Sequence, residues 1–149
     1  MLSGFVAGTL DILAAFLLYS AVLKVVTPIQ ILHGIAAGAF GKAVIGNESV
    51  MALIGLLFHF IIAYSFAAVY FFIYPRIKFL QRHVIISGLL YGAFVWAIMN
   101  LIVVPLSYAY HAPFAFNSFL RAIIILMLCI GLPVSIITSK YYTQKKGER

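Results

Sequence analysis

Four long apolar runs decide what this chain can be. They cover residues 4–26, 50–74, 84–107 and 119–139 and occupy most of its 149 positions. A helix rises about 1.5 Å per residue, so about 20 apolar residues cross a hydrocarbon core of about 30 Å. Inside that core no water can satisfy a bare amide, so the chain must bond to itself. Length and apolarity, rather than an amphipathic period, therefore predict helices. The expected fold is all-α: one transmembrane domain over residues 1–149, an integral membrane four-helix bundle. A short interfacial or re-entrant helix is expected at 31–46, between spans one and two.

Composition closes the other routes. The chain is 65% hydrophobic and 9% charged, where soluble domains run at about 45–50% apolar and about 25% charged. There are too few charges to wet a globular surface. A disordered chain, a nucleic-acid binder built on a basic patch and a disulfide-stapled secreted domain are excluded as well. Cys129 is the single cysteine, set inside the fourth run, where packing is its ordinary role.

Charge sets the expected orientation. The connection at 75–83 carries Arg76, Lys78 and Arg82 and no acid. The tail after Ser139 carries Lys140, Lys145, Lys146 and Arg149 against Glu148. Basic segments stay on the cytoplasmic side, so both termini are expected there, with Lys24, Lys42, Glu48 and Arg121 near the outer edges. The first run lacks a basic leader and exceeds the about 7–15 residues of a signal-peptide core, so it reads as a retained span. The implied location is a cytoplasmic membrane. The implied partners are membrane lipids, and a second copy or a larger membrane complex, with no role for nucleic acid.

Glycine marks where helices are expected to approach. Gly4 and Gly8 open the first span, and Gly88 and Gly92 open the third. Each pair makes a small-xxx-small face suited to close crossing. In 31–46, Gly34 and Gly38 form another such face with Gly41 near it, and Pro28 suits a helix start. Each half also has a proline followed by a histidine, Pro28 with His33 and Pro105 with His111. This pattern is compatible with a duplicated hairpin.

A few polar side chains are too costly in lipid to ignore. Asp11 lies about 10 Å into span one, where an ionised carboxylate costs roughly 2.5–3.5 kcal/mol. It must be protonated, paired or hydrated; Thr9, Ser87, Tyr91, Ser135 and Thr138 are candidate neighbours at that depth. His59 lies near the midplane of span two, and Asn100 about 10 Å inside the outer edge of span three. The two overlap in depth, which allows a direct or water-bridged contact. With His33, His111 and Arg121 they are candidates to line a pocket on the outer side. Asp11 and His59 are the candidates for a proton or ion path. Each has a plainer reading, as an interhelical hydrogen bond or a snorkelling cation.

Other chemistries find little footing. Only His59 lies deep, so bis-histidine haem needs a second copy or a re-entrant His33. No His-x-x-x-His or His-Glu-x-x-His spacing points to a metal, and no Gly-x-Ser-x-Gly to a hydrolase. Paired-carboxylate chemistry needs a second intramembrane acid, and Asp11 stands alone.

Three segments carry a resemblance. They are Gln30-x-x-His33-Gly34-Ile35-Ala36-x-Gly38, Gly55-Leu56-x-x-His59-Phe60-x-Ile62-Ala63, and Leu90-Tyr91-Gly92-x-x-Val95 with Met99-Asn100-x-x-Val103-x-Pro105-Leu106-Ser107. Across residues 4 to 139 the chain resembles a group of small bacterial inner-membrane proteins with four predicted spans and no assigned activity. The resemblance implies a bacterial inner-membrane setting and the same topology; it implies no reaction, cofactor or site residue. Three functions stay open: a non-catalytic binding, accessory or subunit protein with an outward-facing polar pocket; an oligomeric channel or transporter; and a haem or redox protein.

Overall fold

The computed structural model describes residues 2–41, 47–108 and 116–147. Its helices are α1 (Leu2–Val22), α2 (Pro28–Phe40), α3 (Glu48–Ile73), α4 (Lys78–Arg82), α5 (Val84–Leu106) and α6 (116–147). Four are long and apolar enough to cross a membrane: α1, α3 continued to Arg76, α5, and the stretch Phe119–Gln144 of α6. By helix length and apolarity this is a multi-pass membrane protein with a four-helix arrangement and a shorter fifth helix.

Helix ends follow local chemistry. α1 stops at Val22, short of the apolar run to 26. Beyond it Lys24 turns the chain with a φ of 52°, a backbone conformation that non-glycine residues seldom adopt. α2 starts at Pro28, three residues before the expected 31, because Thr27 and Gln30 form a complete capping box. The Gln30 amide donates to Thr27 Oγ1 at 3.3 Å, and the Thr27 amide to Gln30 Oε1 at 2.9 Å. Proline at the first helical position lacks only an N–H that has no partner there. α2 ends at Phe40, where Gly41 takes a φ of 76°. The rest of the expected 31–46 segment, with Lys42, lies outside the described residues.

Inside α5 and α6 the turns widen to π geometry over Met99–Val103 and Met127–Gly131. Each widened turn ends two residues before a proline, Pro105 or Pro133. Proline removes one backbone donor and crowds the preceding turn, so the helix loosens there.

Glycines decide which helices touch. A Cβ on Gly4 would press into Tyr64, and one on Gly8 would come within 3.0 Å of Ala63 and Phe60. The Gly4/Gly8 face therefore seats α1 on α3, running antiparallel. Gly88 and Gly92 seat α5 on α6, where Gly131 answers them. α1 also packs along α6, joining the two hairpins.

The short helix departs from expectation. Its contact with α3 is made at Gly55, where any Cβ would overlap the Leu32 backbone. Gly34, expected on the close face, looks into open space. The close approach thus comes from a glycine of the span, which lets the α2 backbone settle against it. The hairpin of α5 and α6 has no counterpart of α2 among the described residues.

The core sits toward the end of the bundle that carries both termini. Ala7, Ala67, Tyr70, Tyr74, Val95, Ile130 and Val134 are buried there. Tyr70 and Tyr74 are 1% and 4% exposed and belong to the interior. Tyrosine goes inside when its hydroxyl finds an acceptor. Here Ser87 donates its one proton to Val84 O at 3.0 Å, so Tyr70 donates to Ser87 Oγ, also at 3.0 Å. Ser135 of α6 donates to the same Val84 carbonyl. Tyr91 donates to Phe66 O at 2.6 Å, and Tyr142 to Phe71 O at 3.3 Å. These bonds bridge α3, α5 and α6 where the backbones of α3 and α5 stand well apart. The outer faces invert the soluble pattern: Leu17, Leu53, Leu57, Ile85, Leu101 and Leu128 are all exposed. Such surfaces belong against lipid.

Candidate functional site

The candidate polar residues are held one at a time. His59 Nε2–H donates to the Gly8 carbonyl of α1 at 2.8 Å. A carbonyl can only accept, so this bond fixes the proton on Nε2 and leaves Nδ1 as the second ring nitrogen. The bond exists because Gly8, lacking a side chain, brings its carbonyl within reach of α3. Asn100 donates to Trp96 O at 3.0 Å, one turn back on its own helix. His59 and Asn100 thus each bond to a backbone carbonyl. In lipid a polar side chain is satisfied most cheaply by a nearby carbonyl, which the helix always offers.

The outer group is dispersed in the same way. His33 Nε2–H donates to Glu48 O at 2.7 Å, tying α2 to the start of α3. Arg121 Nε donates to Asn117 O at 3.0 Å, again one turn back. His111 lies outside the described residues. His33, His59, Asn100 and Arg121 each spend a donor on a backbone carbonyl. Trp96 packs edge-on against Phe119 at 4.7 Å, as a packing residue should.

Asp11 extends the face that seats α1 on α3. Gly4, Gly8 and Asp11 recur at the spacing of one helical stripe, and Asp11 lies within electrostatic reach of His59. Of the neighbours expected from depth, Ser87, Ser135 and Tyr91 bond to carbonyls, while the hydroxyls of Thr9 and Thr138 are buried without a partner. No group of three or more histidine, cysteine or acidic side chains could hold a metal ion among the described residues.

A further feature lies elsewhere, one that Asp11, His59 and Asn100 do not line. A cleft of about 1090 Å³ opens between the N-terminal turns of α1, the last three turns of α3, and the end of α6. Specific sites for small molecules occupy about 300–1000 Å³, so this one is large. Leu2, Phe71, Phe72 and Ile137 make it apolar, while Lys140 and Gln144 line it from the last turns of α6. Thr138 stands in its wall, 1% exposed. A buried hydroxyl without a partner costs about 1–3 kcal/mol. The signal for the cleft lay in two places: the small residues Gly4, Ala67 and Ala68 that hollow it, and a helix that continues past its apolar run to carry Lys140.

The fold and cleft together define a small multi-pass helical membrane protein with a lateral, mostly apolar recess at the end bearing its termini. No family model, curated protein or solved structure matches the chain.

Proposed function

We propose that this chain is a non-catalytic binding or accessory protein of a bacterial inner membrane, holding a lipid-like ligand. The observation that carries the reading is the cleft between α1, α3 and α6. Its walls suit hydrocarbon, and its polar residues stand at one end. Basic residues concentrate at that same end: Arg76, Lys78, Arg82 and Lys140 among the described residues. The positive-inside rule puts this end in the cytoplasm, so the pocket of this proposal faces inward rather than outward. The resemblance to small bacterial four-span proteins supports the setting and adds no chemistry.

A second reading is favoured by Asp11. An oligomeric channel or transporter would use Asp11 and His59 on a proton or ion path, since Asp11 continues the α1 stripe that meets α3 and His59 bonds to Gly8 of that stripe. The haem reading has less support, because the Nε2 atoms of His59 and His33 already donate to backbone carbonyls.

Native mass spectrometry of gently solubilised protein separates these readings. A monomer or dimer carrying a discrete extra mass supports the binding protein and identifies the ligand class. A bare symmetric higher oligomer overturns it in favour of transport. Proton flux in proteoliposomes that disappears in Asp11→Asn then becomes the deciding result.

A further inference from the structure

We infer that the cleft selects an anionic phospholipid, with the acyl chains against α1 and α3 and the phosphate at Lys140. This rests on the proposed binding function and specifies its ligand. Three observations support it.

The first is placement. Lys140 immediately follows the apolar run to 139 and lines the cleft. A lysine at the end of a span carries its ammonium to the level of the headgroups. The cleft runs from there along Phe72, Ala68 and Tyr64 toward the apolar part of α3. Hydrocarbon and phosphate thus meet the parts of the cleft that suit them.

The second is charge. Arg76 donates to the Phe72 carbonyl, so a second cation stands one turn beyond a cleft residue, on the helix opposite Lys140. The described acids are Asp11 and Glu48, and neither lines the cleft. A zwitterionic headgroup would bring an ammonium into a rim that offers no carboxylate among the described residues. An anionic headgroup meets only cations.

The third is hydrogen bonding. Gln144 and Tyr141 line the same end as Lys140, and both have groups able to bond a glycerol or phosphate oxygen. Thr138, below them, is a buried hydroxyl without a partner. A soluble anion would use Lys140 and leave the apolar walls wet; a phospholipid uses both.

The test titrates delipidated full-length protein in neutral detergent with phosphatidylglycerol or phosphatidylcholine of identical chains, read by native mass spectrometry. Phosphatidylglycerol is expected to bind at least about tenfold more tightly, as one discrete adduct. Lys140→Gln should remove that preference, weakening phosphatidylglycerol more than phosphatidylcholine, whose phosphate loses the same partner but whose ammonium is relieved of a like charge. Lys78→Gln, a loss of one charge outside the cleft lining, should keep it. Ala68→Phe, which fills the cleft from an exposed position, should weaken both lipids. Trp96 emission checks that each variant is folded. Equal binding of the two lipids to the native chain overturns the headgroup assignment and leaves the binding function standing. An equal effect of Lys78→Gln and Lys140→Gln overturns it too, as diffuse attraction. Absence of any discrete adduct overturns both the assignment and the binding function.

Discussion

Gly92→Ala tests the central contact of the bundle. A Cβ at this position would lie 2.6 Å from Leu126 O and 2.8 Å from Met127 N, and closer still to the Met127 Cα. These are backbone atoms of α6, so no rotamer change relieves the overlap. Non-bonded carbon atoms rest at about 3.5–4.0 Å, so α5 and α6 must part by about 1 Å. A gap of about 0.5–1 Å forfeits a quarter to a half of each dispersion contact along the seam. Overpacking of this kind costs about 1–3 kcal/mol. Alanine returns up to about 1 kcal/mol through helix propensity. Gly34→Ala is the matched control, because its Cβ would meet nothing within 4 Å. It collects the propensity gain alone. The two variants should therefore differ by about 2 kcal/mol, with Gly34→Ala the more stable. The assay is reversible unfolding in mixed micelles of increasing dodecyl sulfate fraction, read by fluorescence. Trp96 is the chain's single tryptophan and packs on Phe119 of α6, so its emission reports this seam. Equal stabilities would refute the close crossing of α5 and α6.

Three further outcomes can be measured in the same assay. Tyr70→Phe keeps the ring packing and removes only the donor to Ser87 Oγ; a loss of about 1 kcal/mol is expected, and no loss would mean the hydroxyl is not bonded. His59→Ala removes the bond to Gly8 O between α1 and α3; about 0.6–2 kcal/mol for that bond should be lost along with ring packing, whereas His59→Gln, which keeps a donor, should recover part of it. Thr138→Val exchanges an unpartnered buried hydroxyl for a methyl of similar shape; a gain of up to about 1 kcal/mol is expected without lipid, and a marked loss would show that the hydroxyl has a partner.

Sequence by itself determined the solvent of this protein and the class of its fold. Four runs of the required length, nearly free of charge, have one solution in a bilayer, because backbone amides there can only pair along a helix. The same physics made Gly4, Gly8, Gly88 and Gly92 legible as contact points, since only a residue without a side chain lets two helix backbones approach. What sequence could not supply was the partner of each contact. A depth estimate gives distance along the membrane normal and says nothing about rotation around each helix. Asp11 was therefore offered five neighbours at its level, whereas it continues the α1 stripe whose Gly8 carbonyl takes the His59 bond. His59 and Asn100 were matched by depth, yet each was satisfied by a nearer carbonyl. That Tyr70 and Tyr74 are interior follows from the packing of the helices and, for Tyr70, from the Ser87 hydroxyl within reach. The position of the cleft was decided by tertiary structure. It exists because small residues of α1 and α3 face the far end of α6, and residues so distant in the chain share a wall only when helix rotation and crossing bring them together.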